Sequence, residues 1–219
     1  MGKKDGDAAK KNRHNKEKSG QNGLNTACRD GAYLSASPLV LWRRRIPWLL
    51  LLMISATISG AILTGFESAL PSVLLIFVPM LMDTGGNCGA QASVTVIRAL
   101  TLGEAGFSEL PRIIRKEAAV GSLCGLTLGA VAFFKVILFD GLLLKNASVS
   151  LSVAACVAIS IALTAIASKL IGSVLPIFAK RLGIDPAVMA SPFITTLVDA
   201  VALLLYLFIC LSILPTPTY

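Results

Sequence analysis

A single aspartate, Asp199, sits within an apolar run from Ser191 to Leu214 whose nearest polar side chains are hydroxyls. Ser191, Thr195 and Asp199 are spaced i, i+4, i+8 and share one face of a helix, and Thr196 borders them. Carboxylate, hydroxyl and carbonyl oxygens are the donors that hard cations bind. A carboxylate at the centre of a membrane helix costs about 2.5–3.5 kcal/mol on insertion scales, so it needs a compensating role. Three roles suit it: lining an ion path, pairing with Lys135 or Lys169, or relaying protons.

A second polar cluster interrupts another apolar run. It reads Asp83-Thr84-Gly85-Gly86-Asn87-Cys88-Gly89-Ala90-Gln91. Its three glycines each weaken a helix by about 1 kcal/mol relative to Ala, so a break or kink is expected here. Backbone that leaves helical form at membrane depth must be buried in protein or face a watery cavity. Asn87 and Gln91 are one turn apart, and Asp83 lies one turn before Asn87, so all three can line one cavity.

These residues must be held by membrane-spanning helices. The 219 residues are 55% hydrophobic and only 15% charged, against about 25% charged in soluble chains. Runs long enough to span occur at 46–66, 70–100, 113–139, 148–177 and 191–214. The fold class expected is an all-α polytopic membrane protein with five transmembrane helices, the second of them broken. Residues 38–45 read as a short interfacial helix, with Trp42 and Trp48 at headgroup depth. The transmembrane domain is placed at 38–214, between a basic disordered tail (1–37) and a short tail outside the cell (215–219).

Charge sets the orientation. The first 45 residues hold 11 basic and four acidic side chains, net +7 of the total +8. This tail suits anionic lipid on the cytoplasmic leaflet, not nucleic acid. Arg43, Arg44, Arg45, Arg98, Arg112, Arg115, Lys116, Lys180 and Arg181 fall on one side of a five-span chain, and Lys145 alone lies in the opposite loops. The positive-inside rule therefore puts the N-terminus in the cytoplasm and the C-terminus outside, in the cytoplasmic (inner) membrane. Gly121, Gly125 and Gly129, and likewise Ala56 and Gly60, recur every fourth residue and predict close helix packing. The five cysteines form no CxxC pair and the one histidine, His14, lies in the tail, so neither a zinc site nor an enzyme's nucleophile–base pair is expected.

Three stretches resemble the transmembrane domain of the MgtE family of magnesium channels and transporters. They are Pro79–Gln91 followed by Ile97-Arg98-Ala99-Leu100 and Gly103-Glu104, then Leu182–Ala187, then Ser191–Asp199. The resemblance covers about residues 40–214. It implies a homodimer of five-helix subunits that moves Mg2+ along a path at the dimer interface. Asp199 matches the family's pore carboxylate, Asn87 its pore-lining asparagine, and Ser191 and Thr195 further lining positions. Asp83 is added as a metal-site candidate, and Thr196, Gly85, Gly86 and Gln91 as pore-lining candidates. Typical members carry an acidic domain and paired CBS domains before the first span. The 45 residues here cannot form them, so the expectation is a pore without that magnesium-sensing gate. Alternatives are an exchanger coupling Mg2+ to Na+ or H+, and a non-transporting subunit that recruits partners through its basic tail.

Overall fold

The computed structural model describes residues 37–66, 71–184 and 186–214, with the backbone alone at 44, 48 and 187–192. The expected tails, Ser37 apart, lie outside the described residues. The chain divides into two units, Met1–Leu49 and Leu50–Tyr219. In the first unit, the described residues from Pro38 onward are helical. One helix, Pro38–Phe66, runs through the division, and apart from it everything below concerns the second.

The described residues are helical with no strand. In chain order the elements are α1 (Pro38–Phe66), α2 (Ser72–Leu75), α3 (Val78–Thr101), α4 (Leu110–Phe134), a π-helical segment (Lys135–Leu143), α5 (Leu151–Arg181) and α6 (Pro186–Ile213). Five helices are long and apolar enough to cross a membrane, with α2–α3 forming one span and α4 with the π segment another. The protein is thus an all-α polytopic membrane protein. The segment read as a separate interfacial helix is continuous with the first span, and Pro47 is accommodated within it.

The second span is interrupted, but not at its glycines. The break falls at Ile76–Phe77, between α2 and α3. Pro79, in the first turn of α3, has no N–H to offer the carbonyl of Leu75, which lets the helix end and restart. The Leu74 carbonyl, which accepts from the Phe77 N–H in the turn, also accepts a 2.8 Å hydrogen bond from the buried Tyr206 hydroxyl of α6. Residues 83–91 remain helical throughout, which corrects the expected kink at that position. Propensity loses there because the glycines face close neighbours. A Cβ on Gly85 would stand 2.8 Å from Thr164 Cγ2, and one on Gly89 3.2 Å from the Ser168 carbonyl oxygen. Gly172 of α5 completes this crossing, since any side chain on it would run into the Gly89 backbone.

The same economy governs α4 against α5. Built Cβ atoms on Gly121, Gly125 and Gly129 would meet the backbone of Ile166, Ala162 and Ala158 in turn, at 3.1, 2.5 and 2.8 Å. The partner number falls by four as the glycine number rises by four, so the helices run antiparallel in register. This is the small-residue packing that lets membrane helices approach backbone to backbone. Gly60 behaves differently: a Cβ there meets nothing within 4 Å, so the Ala56/Gly60 pair does not draw α1 onto another helix of the chain.

The ends are capped by local chemistry. The Ser150 side chain accepts from the Val153 N–H at the start of α5. Gly103 and Gly183 adopt φ of +73°, and the chain beyond them bonds back, Glu104 N–H to the Ala99 carbonyl and Ile184 N–H to the Ala179 carbonyl. Lys180 Nζ donates to the Leu100 carbonyl at 3.0 Å, so the end of α5 satisfies the end of α3.

Gly125→Val is expected to cost about 1–3 kcal/mol by overpacking and to lower the unfolding temperature in detergent. Gly86→Ala, with open space at its Cβ, is expected to be neutral or to stabilise by up to about 1 kcal/mol in the same melt.

Candidate functional site

Asp199 lies near the middle of α6, 13 residues after Pro186 and 14 before Ile213. It opens onto a cleft of about 240 Å³ lined also by Thr195 and Thr196 of α6, Met82 of α3, and Leu52, Ser55, Ala56, Ser59, Gly60 and Leu63 of α1. Val198 beside it and Ile194 one turn earlier are buried, and both pack against Gly89 of α3. That anchored face fixes the rotation of α6 and leaves Asp199 half-buried on the cleft.

Neither lysine named as an ion-pair partner is paired with Asp199. Lys135 Nζ bonds both carboxylate oxygens of Asp140, at 2.8 and 3.1 Å, and stands 5.4 Å from the Phe77 ring centroid. Lys169 is only 4% exposed and forms no ion pair among the described residues. Among the described residues Asp199 forms no ion pair.

A second, larger cleft of about 530 Å³ lies between α3 and α4. Asp83, Thr84, Asn87, Cys88 and Gln91 line one wall; Leu123, Cys124, Thr127 and Leu128 line the other. Asp83, Asn87 and Gln91 thus come together as their spacing predicts, and Asn87 Nδ2 donates to Asp83 Oδ2 at 3.1 Å. The one hydroxyl of this wall, Thr84 Oγ1, donates to the Met80 carbonyl at 2.7 Å.

The sequence candidates therefore divide. Asp199, Thr195 and Thr196 share one cleft; Asp83, Asn87 and Gln91 share another. Within one chain Asn87 is not brought to Asp199, because they open on different faces of the bundle. Gly85 is buried in the packing of α3 on α5 and α6, and Gly86 has open space at its Cβ; neither lines either cleft. Ser191 is helical, with its side chain outside what is described. Sequence reasoning missed Ser55 and Ser59, which stand opposite Asp199. Their i, i+4 spacing on the first span was the available signal, masked by the small residues Ala56 and Gly60 beside them.

The bundle is polytopic and helical, and each of its two clefts carries one carboxylate, Asp199 or Asp83, on a helix long and apolar enough to cross a membrane. Residues 78–209 match the MgtE family, described as divalent cation transporters. The chain is 38% identical over 182 residues to the magnesium transporter MgtE of Thermus thermophilus, covering 81% of this chain and 38% of that protein. It is 36% identical over 169 residues to the Bacillus subtilis magnesium transporter MgtE, covering 74% and 35%. For the Enterococcus faecalis magnesium transporter MgtE the figures are 31% over 177 residues, covering 79% and 37%. The chain belongs to the MgtE family. It spans somewhat more than a third of the length of these relatives.

If the larger cleft holds water, Cys124 on its wall reacts with a cationic methanethiosulfonate reagent in a Cys28→Ser background, while the core thiols Cys156 and Cys210 stay unmodified. Mass spectrometry of the labelled protein reads this out. An unreactive Cys124 would mean that lipid or protein fills the cleft.

Proposed function

We propose that this chain moves Mg2+ across the cytoplasmic membrane through a path lined by Asp199, and that two copies form that path. The observation carrying this reading is a mid-helix carboxylate that has no ion pair among the described residues and opens on a cleft it shares with Ser55, Ser59, Thr195 and Thr196. An aspartate kept in that setting needs a cation to offset its burial, and the described lysines do not supply one.

Mg2+ releases its water reluctantly, so a site can hold it through hydrogen bonds to its first-shell waters. Two Asp199 carboxylates across a dimer axis would offer net −2 without stripping the ion. Like charges that close are unfavourable alone, and the divalent cation stabilises both. An inside-negative potential drives uptake by about 2.3 kcal/mol per unit charge per 100 mV, hence twice that for Mg2+. The basic loop ends lie on the cytoplasmic side in this reading, with the C-terminus outside. The separation of Asn87 from Asp199 within one chain supports a second copy, since a path using both clefts needs a neighbour to join them. Other divalent cations that accept oxygen ligands, such as Co2+, Ni2+ and Mn2+, fit the same donors.

Purified protein in liposomes is expected to pass Mg2+ under an imposed inside-negative voltage with no Na+ or H+ gradient, and Asp199→Ala to abolish the flux. Full flux in Asp199→Ala would overturn the assignment. Co-reconstituting equal amounts of wild type and Asp199→Ala, tagged and mixed before assembly, tests the dimer. A path needing both carboxylates leaves about one quarter of the flux, whereas independent chains leave about one half.

A further inference from the structure

The first span carries polar groups that the reading above does not use. Leu52, Ser55, Ala56, Ser59, Gly60 and Leu63 recur at helical spacing on one face of α1, and that face forms the wall of the Asp199 cleft. Two of its side chains are hydroxyls left open, as those of Ser93 and Thr164 are, but unlike these they line a cleft. Thr57 and Thr64 of the same helix, and Thr84, Thr95, Thr127 and Ser160 elsewhere, each donate to the carbonyl four residues earlier. This is how a hydroxyl is ordinarily satisfied where water is scarce. Among the described residues Ser55 and Ser59 make no such bond, and Ser59 is only 7% exposed. Hydroxyls that keep no protein partner on the wall shared with Asp199 are open to a ligand in that cleft.

The small residues beside them point the same way. Gly60 has nothing within 4 Å of where a Cβ would stand, so its lack of a side chain leaves space and does not serve contact. The cleft is about 240 Å³. Six waters at their liquid share of about 30 Å³ each need roughly 180 Å³, so a fully hydrated divalent ion can be held beside Asp199.

We infer that Ser55 and Ser59 are binding residues for the hydration shell of the divalent cation held at Asp199, so that the first span is the second wall of the ion site. The inference rests on the assignment of Asp199 as a cation ligand. Metal-bound water has its oxygen lone pair on the ion and offers only its hydrogens. A partner for it must therefore accept. Serine Oγ accepts from that water, and its own hydrogen is free to turn to a further water in the cleft. Lysine or arginine has no lone pair to offer and would repel the ion, which accounts for hydroxyls at these positions. Ala56 and Gly60 keep the opening wide enough for the shell.

Voltage-driven Mg2+ flux in liposomes tests this with four variants. Ser55→Ala/Ser59→Ala is expected to raise the half-saturating Mg2+ concentration at least about fivefold, the loss of one hydroxyl's hydrogen bond, the two losses not being independent. Gly60→Leu, which fills the opening and removes no hydroxyl, is expected to reduce flux as well. Thr57→Ala, on the same helix but facing away, keeps the wild-type dependence. Asp199→Ala is the control for the underlying reading. If Asp199→Ala is inactive while the double serine variant and Gly60→Leu match wild type, the first span is not part of the site and the transport reading stands. If wild type carries no flux, thermal unfolding in detergent with Mg2+ alone decides. A Mg2+-dependent rise in unfolding temperature that needs more Mg2+ in the double serine variant than in Thr57→Ala supports the inference without transport. Equal dependence, or none, overturns it.

Discussion

The crossing of α3 on α5, where Gly172 lies against the backbone of Gly89, sets the spacing on which the clefts depend. Lipid gives helices little hydrophobic reason to associate, so close backbone packing must supply the attraction. Glycines on both helices allow it, and α5 becomes the central post of the bundle, with half of its most apolar window buried. With α3 held against α5 and α6 by Gly85 and Gly89, its remaining faces are fixed too. One presents Asp83, Asn87 and Gln91 to the gap beside α4; another presents Met82 to the gap that holds Asp199. A bulkier residue at the crossing would not touch either cleft and would still misplace both.

The bilayer sorts the polar groups by whether they can be answered from within. Asp140 is answered by Lys135, whose aliphatic stem and ammonium also lie against Phe77 and Phe139. The Leu74 and Leu100 carbonyls are answered by Tyr206 and Lys180. Asp199 and Ser59 are not answered in this way among the described residues, and both face the same space. The Ser93 and Thr164 hydroxyls are also without a partner but line neither cleft, so only the open polarity beside Asp199 has room for an outside ligand.

Most of the architecture was legible in the sequence because hydrophobic run length is a strong signal in membranes. The five spans follow from it, and the every-fourth-residue spacing of Gly121, Gly125 and Gly129 marked the close packing of α4. The kink at residues 83–91 was misplaced for a definite reason: helix propensity counts the cost of Gly85 and Gly89 but not the neighbours they admit, which lie far away in the chain. The true interruption depended on Pro79 together with Tyr206, a partner 132 residues from Leu74. The candidate site was legible helix by helix. Spacing grouped Asp83 with Asn87 and Gln91, and Thr195 with Asp199, because those groupings are local. It could not say that the two groups part company on opposite sides of α3, nor that Ser55 and Ser59 complete one of them, since both facts are relations between helices.

The pairing of Lys135 with Asp140 reaches beyond its own stability. The two residues are five apart, and they meet because the chain between them winds as a π-helix, in which i and i+5 are stacked. In an α-helix the stacked positions are i and i+4. Loss of one residue from this stretch would let it rewind as α-helix with the same lysine and aspartate still in contact. The end of the third span is therefore a place where evolution can change the length of the chain by one residue, leaving the glycine register of α4 on α5 undisturbed.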